Sequence, residues 1–100
     1  MKESRIIYVD VDGILFKTGN GNMNDIINPT PIQENIDKIN KLYDEGNCIV
    51  IWTARGQLSS VDLYDITKSQ LHQYGIKHHQ LRCDKPYFDE LIDDRTRDKP

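Results

Sequence analysis

Residues 6–13 read Ile-Ile-Tyr-Val-Asp-Val-Asp-Gly, and this stretch decides the fold. Its first four residues are a continuous apolar run, which predicts a strand buried on both faces, as in a parallel sheet. Asp10 and Asp12 follow at a spacing of two residues, so both side chains face the same side. Gly13 lets the chain turn sharply beside them. The stretch therefore predicts a buried strand that ends in a pair of carboxylates.

The rest of the chain alternates helix and strand patterns. Apolar residues recur at helical spacing over 30–46 and over 59–75, which predicts two helices. Further strands are predicted at 48–52, 79–83 and 88–92. The order β-α-β-α-β-β implies right-handed crossovers and a parallel sheet of about four strands, which is an α/β fold.

Polar residues mark the ends of the predicted helices and the loop before the first one. Thr30 begins a capping box for the first helix, and Ser59 or Ser60 caps the second. Residues 17–30 are rich in Gly, Asn and Thr, so they form a loop. Its part 17–28 is either a flap over a site or a plain flexible connection.

The composition describes one soluble domain over residues 1–100. Hydrophobic residues make up 37% of the chain and charged residues 29%, which is a globular balance. The net charge is −3 and Lys and Arg are scattered, so neither a nucleic-acid nor a membrane partner is expected. Without a visible signal peptide or membrane span, we expect a cytoplasmic protein in which Cys48 and Cys83 are thiols.

Polar side chains follow three of the predicted strands. They are Asp10 and Asp12, Thr53, and Asp93 and Asp94. Ligands bind beyond the carboxyl ends of open parallel sheets, so we expect these groups to share one crevice. Two like charges about 4 Å apart repel by roughly 4 kcal/mol at an effective dielectric near 20. A cluster of four carboxylates therefore needs a cation, and ligands that are all oxygen favour Mg²⁺.

A carboxylate cluster with Mg²⁺ suits phosphoryl transfer. One aspartate can attack phosphorus and form an aspartyl-phosphate, while a second acid protonates the leaving oxygen and then activates water. Thr53 could donate its hydroxyl to a phosphate oxygen, and a lysine would offset developing charge. Lys85 suits that role by its position, with Lys77 as a competitor. Arg55 is either a bidentate contact for a phosphate or carboxylate or a surface residue.

Four segments of the chain match an ordered set of motifs. They are residues 10–13, Thr53 at the end of its strand, Lys85, and residues 92–94. In this order they resemble the motifs of haloacid dehalogenase superfamily phosphatases, over residues 6–94. The resemblance implies a Rossmann-like three-layer sandwich and a hydrolase. It also implies that Asp10 is the nucleophile and Asp12 the general acid and base.

The resemblance further implies which residues contact the substrate and the metal. Thr53 and Lys85 would bind the phosphoryl group, and Ala54 and Arg55, which directly follow Thr53, are further candidate substrate contacts. The Mg²⁺ ligands would be the Asp10 carboxylate, the Asp12 backbone carbonyl, and Asp93 or Asp94. The acid at position 12 favours phosphate esters, because relatives that act on other bonds often replace it.

The form that the chain resembles is reduced and capless. The gap between Gly13 and Thr30 is predicted to hold only a loop, and the gap between Thr53 and Lys85 one helix and one strand. An open site favours a large substrate or a homo-oligomer in which a neighbour covers it. The short stretch after Asp94 leaves a sheet edge uncovered, which also favours self-association. The chain also resembles, more loosely, small bacterial capless phosphatases, including those linked to capsule or surface-sugar synthesis, and this implies a small phosphorylated substrate such as a sugar phosphate.

Two other functions stay open at this stage. Residues 92–96, Ile-Asp-Asp-Arg-Thr, are similar to the last motif of the phosphatase domain of phage polynucleotide kinase, which suggests a nucleic-acid end (3′-) phosphatase. The acidic net charge weighs against it. The other is a non-catalytic phosphate- or sugar-binding module, which Asp12 weighs against because binding alone needs no acid. The fold by itself does not separate these functions.

Overall fold

The computed structural model describes residues 3–57 and 61–95, which form five strands and three helices. In chain order the elements are β1 (Ile6–Val9), β2 (Phe16–Lys17), α1 (Met23–Ile27), β3 (Thr30–Pro31), α2 (Gln33–Asp44), β4 (Cys48–Trp52), α3 (Tyr64–Gln73) and β5 (Gln80–Arg82). No helix in these ranges is long and apolar enough to cross a membrane.

The main sheet is parallel and has the order β1-β4-β5. Tyr8 of β1 lies opposite Val50 of β4, and Ile51 of β4 lies opposite Leu81 of β5. Helices α2 and α3 lie in the connections between these strands, as parallel pairing requires. The predicted parallel α/β fold is confirmed, with three strands among the described residues in place of about four.

The strand predicted at 88–92 is wrong. Residues 83–95 contain neither helix nor strand. Phe88, Leu91 and Ile92 are 38%, 46% and 64% exposed, so the segment lacks the burial that stabilises a strand in a sheet. The strand predicted at 79–83 is confirmed with the narrower bounds of β5.

The two faces of the main sheet differ in burial. Ile51 of β4 is fully buried in a core that it shares with Ile36 of α2 and Leu71 of α3. On β1 the side chains of Ile6 and Tyr8 are 72% and 47% exposed. The expectation that β1 is buried on both faces is therefore wrong. The described residues form one sheet layer and one helical layer, not three layers, because both long helices pack against the same core and no helix follows β5.

The predicted cap at Thr30 is also wrong. Thr30 lies in β3, and antiparallel pairing with β2 holds its backbone extended. Helix α2 begins at Gln33, and its N-cap residue Ile32 makes no side-chain capping hydrogen bond. The caps predicted at Ser59 and Ser60 lie outside the described residues.

The segment 17–30, predicted to hold only a loop, contains α1 and is bounded by the two short strands β2 and β3. The side chain of Asn22 caps α1 by accepting a hydrogen bond from the N–H of Asp25 at 2.9 Å. Gln70 of α3 donates its Nε2 to the carbonyl of Ile26 at 2.7 Å. The segment is therefore tied to α3, while a role as a flap stays a prediction.

Both cysteines are free thiols, as expected. Cys48 lies on β4 and Cys83 directly follows β5, and each is half-buried. Burial raises the pKa of the Cys83 thiol, and the negative charge of Asp62 adds to the rise. Cys83 therefore stays protonated at neutral pH.

Candidate active site

The carboxyl ends of β1 and β4 bring most of the predicted site residues into one cleft. Asp10 and Asp12 follow β1, and Thr53 and Arg55 follow β4. Parallel pairing places these two strand ends at the same edge of the sheet. The side chains line a cleft of about 490 Å³ together with Ala54.

A tight turn after β1 presents the two aspartates. The carbonyl of Val11 accepts hydrogen bonds from the N–H groups of Leu15 at 2.8 Å and Phe16 at 3.2 Å. Gly13 has a φ of +85°, a conformation that favours glycine. The side chain of Val11 is fully buried in the core. Because alternate residues of an extended chain face opposite sides, the aspartates on either side of Val11 turn towards the cleft.

The carboxylate of Asp10 lies between a backbone donor and a lysine. Its Oδ1 accepts a hydrogen bond from the N–H of Val11 at 2.8 Å. Its Oδ2 is 3.4 Å from Nζ of Lys85. The side chain of Asp10 is 39% exposed, so one side of the carboxylate is open to a ligand.

Lys85 is the lysine that the structure places beside Asp10, in an adjoining hollow of about 240 Å³ that Asp10 and Ala54 also line. Its Nζ lies 5.6 Å from the ring centroid of Trp52 and 5.5 Å from that of Phe88, within cation–π range. Its side chain is only 18% exposed. The competing Lys77 forms an ion pair with Asp44 at 2.7 Å instead.

Thr53 is fixed by three hydrogen bonds at the end of β4. Its N–H donates to the carbonyl of Arg82 at 2.9 Å, and its carbonyl accepts from the N–H of Lys85 at 3.2 Å. Its hydroxyl oxygen accepts from the N–H of Arg55 at 3.1 Å. The residue is 1% exposed, and a hydroxyl held in this way can still donate its own hydrogen.

Arg55 is buried, so the surface interpretation is wrong. The residue is 5% exposed. Its Nε lies 3.2 Å from both carboxylate oxygens of Asp12, and its Nη2 lies 2.9 Å from Oδ1. Its Nη1 donates to Thr67 Oγ1 at 3.0 Å and to Gln70 Oε1 at 2.7 Å. The bidentate partner in this structure is a carboxylate of the chain itself, and contact with a substrate stays a prediction.

Thr67 and Gln70 are site-supporting residues that sequence reasoning missed. They are 0% and 5% exposed although both are polar. The signal was their position, because they fall at helical spacing with the buried Leu63 and Leu71. Two polar side chains on an apolar stripe indicate a buried polar partner, which here is the guanidinium of Arg55.

Asp93 and Asp94 do not complete a carboxylate cluster in the described part of the chain. Both are exposed and follow β5 without any regular element. Asp93 Oδ1 accepts from the N–H of Arg95 at 2.9 Å, and this bond, followed by one with Asp94, lowers the pKa of Asp93. Among residues 3–57 and 61–95, no three Asp, Glu, His or Cys side chains form a group that could hold a metal ion. The oxygen donors of Asp10 and Asp12 fit Mg²⁺ in chemistry, whereas Asp93 and Asp94 lie in a segment without a strand and are not gathered with them in the described residues.

One wall of the cleft is apolar. It is formed by Met23 and Ile26 of α1, by Leu63 before α3, and by Tyr87. The carboxylates, Thr53 and Arg55 line the same space. The cleft can therefore take a ligand with a charged group at the strand ends and a less polar body against α1.

Comparisons with known proteins bear on the fold. No family model and no curated protein matches the chain. A crystal structure of an MCSG target from Vibrio cholerae is similar, with a TM-score of 0.79 and 24% sequence identity. The match covers 92% of this chain and 81% of that chain. At this level of identity the likeness shows a shared fold alone, and the chain is an α/β domain similar in fold to that Vibrio cholerae protein.

Proposed function

We propose that this chain is a Mg²⁺-dependent phosphomonoester hydrolase that acts through an aspartyl-phosphate on Asp10. One observation carries the proposal. Asp10 and Asp12 line one cleft with Thr53, and Nζ of Lys85 lies 3.4 Å from Oδ2 of Asp10. The resemblance of these residues to haloacid dehalogenase phosphatases supports the same reaction.

The first half of the reaction forms the intermediate. A carboxylate oxygen of Asp10 attacks phosphorus, and the bond between phosphorus and the leaving oxygen breaks. Asp12 gives its proton to that oxygen, so the rest of the substrate leaves as an alcohol while the phosphoryl group stays on Asp10. Thr53 and Lys85 bind the phosphoryl oxygens and offset the charge that develops on them.

The second half releases phosphate. Asp12, now ionised, takes a proton from a water molecule, and the oxygen of that water attacks phosphorus. The bond between phosphorus and Asp10 breaks. Inorganic phosphate leaves, and both aspartates return to their initial protonation states.

Mg²⁺ belongs to the proposal on the chemistry of the donors. The Asp10 carboxylate and the Asp12 backbone carbonyl would hold it, and a carboxylate of Asp93 or Asp94 would have to approach the cleft when the metal binds. The ion would neutralise charge on the transferring phosphoryl group.

The cleft favours a small phosphorylated metabolite, such as a sugar phosphate, over a nucleic acid. Its volume of about 490 Å³ is in the range of small-molecule sites. The net charge of −3 would repel a polyanionic strand.

The test is an assay of p-nitrophenyl phosphate and a panel of metabolite phosphates, with Mg²⁺ and with EDTA. Asp10→Asn is the test variant, and Asp37→Asn on the exposed face of α2 is the matched control. We expect Asp10→Asn to lower kcat by at least roughly 10³-fold, since a nucleophile is lost. We expect EDTA to abolish turnover and Asp37→Asn to leave it unchanged.

Each contrary outcome has a distinct meaning. Full activity in Asp10→Asn would overturn the covalent mechanism. Turnover that persists in EDTA would overturn the metal requirement. A wild-type protein that binds a panel member without hydrolysing it would identify a binding module instead.

A further inference from the structure

Arg55 and Asp12 form an ion pair in the lining of the cleft. The arginine side chain is 1% exposed and the aspartate side chain 36%, so the pair lies where the core meets the cleft. The guanidinium binds both carboxylate oxygens, which fixes the rotation of the carboxylate as well as its position. A single point charge such as an ammonium would fix the position only.

We propose that Arg55 is a positioning residue that holds the Asp12 carboxylate in the orientation from which its proton reaches the leaving oxygen. The inference rests on the proposed function, because it requires Asp12 to act as the acid. In this proposal Arg55 orients the general acid Asp12 and does not bind the phosphoryl group of the substrate.

The two oxygens of Asp12 are held unequally. Oδ1 accepts from Nη2 at 2.9 Å and from Nε at 3.2 Å, whereas Oδ2 accepts from Nε at 3.2 Å. Oδ2 accepts one guanidinium hydrogen bond where Oδ1 accepts two, and the proposal therefore assigns Oδ2 to the leaving oxygen. When Asp12 loses its proton, the positive charge of Arg55 stabilises the carboxylate that remains.

The guanidinium of Arg55 also forms hydrogen bonds with two side chains of α3. Its Nη1 donates to Thr67 and Gln70, both of which are buried. Gln70 also donates its Nε2 to the carbonyl of Ile26 at 2.7 Å. The position of the guanidinium is therefore coupled to α1, which forms the apolar wall of the cleft.

The test is a series of phosphate monoesters whose leaving groups differ in pKa, from 2,4-dinitrophenyl through p-nitrophenyl and phenyl to alkyl phosphates. Their kcat/KM values report the step in which the leaving oxygen departs. A good leaving group needs no proton at that step, whereas an alkoxide does. Loss of positioning of an acid therefore lowers kcat/KM for poor leaving groups and spares good ones.

The test variant is Arg55→Lys, which keeps the charge and removes the planar fork. We expect kcat/KM to fall roughly 10- to 100-fold for alkyl phosphates and less than about threefold for the dinitrophenyl ester, since a small misplacement of a catalytic group costs about 10²-fold. Arg82→Lys is the matched control, because Arg82 pairs with Asp84 outside the cleft. It should leave all the esters unchanged.

A second variant keeps the inference testable if Arg55→Lys does not fold. Gln70→Met removes the bonds to Arg55 and Ile26 without touching Asp12. It should show the same selective loss on poor leaving groups, at roughly three- to tenfold, because the guanidinium loses one of its anchors. Melting temperatures of each folded variant separate a loss of stability from a loss of rate.

The outcomes for the two proposals are distinguishable. If a folded Arg55→Lys or Gln70→Met loses equal activity on every ester, or none, Arg55 is not a positioning residue for an acid. That result leaves the phosphatase proposal intact as long as Asp10→Asn is inactive. Wild-type activity in Asp10→Asn would instead remove the reaction on which the inference rests.

Discussion

The predicted site has two halves, Asp10 with Thr53 and Asp93 with Asp94. They differ in whether a strand of the main sheet positions them. Asp10 and Thr53 directly follow strands that are paired in the main sheet. Asp93 and Asp94 lie in residues 83–95, where the described chain forms no regular element. Both halves are predicted from the sequence, yet among the described residues only the first lines the cleft.

The difference shows that a predicted site residue is held in place when the apolar residues before it are buried in the core. Val9 and Ile51, which precede the first-half residues, are 5% and 0% exposed. Leu91 and Ile92, which precede the second pair, are 46% and 64% exposed. Burial at about 25 cal/mol per Å² of apolar surface offsets the entropy of ordering a strand, and the second segment lacks that gain.

The largest expected effect contrasts the two isoleucines that precede the two halves. Ile51→Ala should lower the free energy of unfolding by about 2–5 kcal/mol, because it leaves a cavity in the core. Ile92→Ala should change it by less than about 0.5 kcal/mol, as for an exposed side chain. Urea denaturation followed by circular dichroism measures both. Equal losses of unfolding free energy in the two variants would show that burial does not distinguish the residues that precede the two halves of the site.

An intermediate effect is expected at the polar support behind the first half. Thr67→Val removes the hydroxyl that donates to the carbonyl of Leu63 at 2.7 Å and accepts from Arg55 at 3.0 Å. An N–H of Arg55 then lacks a partner, so the free energy of unfolding should fall by about 1–3 kcal/mol. Thr30→Val, at an exposed threonine of β3, is the matched control. If both variants unfold at the same urea concentration as the wild type, the buried network adds nothing to the stability of the cleft.

The smallest effect concerns Asp84, near the start of residues 83–95. Hydrogen bonds from Arg82, with that from Trp52 as a lesser cause, hold the pKa of Asp84 below its ordinary value of 3.8. The resulting stabilisation is present above pH 3.8 and is lost as the pH falls through the lowered pKa. Because Trp52 is the sole tryptophan and its Nε1 donates to Asp84 at 3.0 Å, its fluorescence should follow the titration.

Arg82→Gln should move that fluorescence midpoint to higher pH, since it removes the charged donor. Circular dichroism over the same pH range shows whether the domain stays folded. A midpoint that does not move would show that Arg82 does not lower the pKa of Asp84. The contact between these two residues would then not help to attach residues 83–95 to β5.

The parts of the fold that follow from hydrophobic pattern were predictable. The apolar runs at β1 and β4 gave strand bounds that the structure reproduces, and α2 and α3 fall within the predicted helical ranges. The cleft residues at the ends of β1 and β4 followed from these strands, because parallel strands end at one edge.

Three features were not predictable for physical reasons. Thr30 has the residue type of a helix cap, but its pairing with β2 is a long-range contact that overrides local preference. The segment 88–92 has the composition of a strand, but its apolar side chains are exposed in the described part of the chain. The partners of Arg55 lie 43 residues earlier, at Asp12, and 12 and 15 residues later, on α3, so no local pattern links them to the arginine.

The fully buried Val11 between the two aspartates has a consequence for engineering the cleft. Because one core residue separates Asp10 from Asp12, the spacing between the nucleophile and the acid of the proposed reaction is set by the backbone of a single residue. Tyr87 lines the apolar wall of the same cleft and lies outside both this turn and α1, so it can be replaced without changing that backbone spacing. Variant libraries aimed at the substrate preference of the proposed enzyme can therefore start at Tyr87, while the aspartate pair and α1, which is tied to Arg55 through Gln70, are left unchanged.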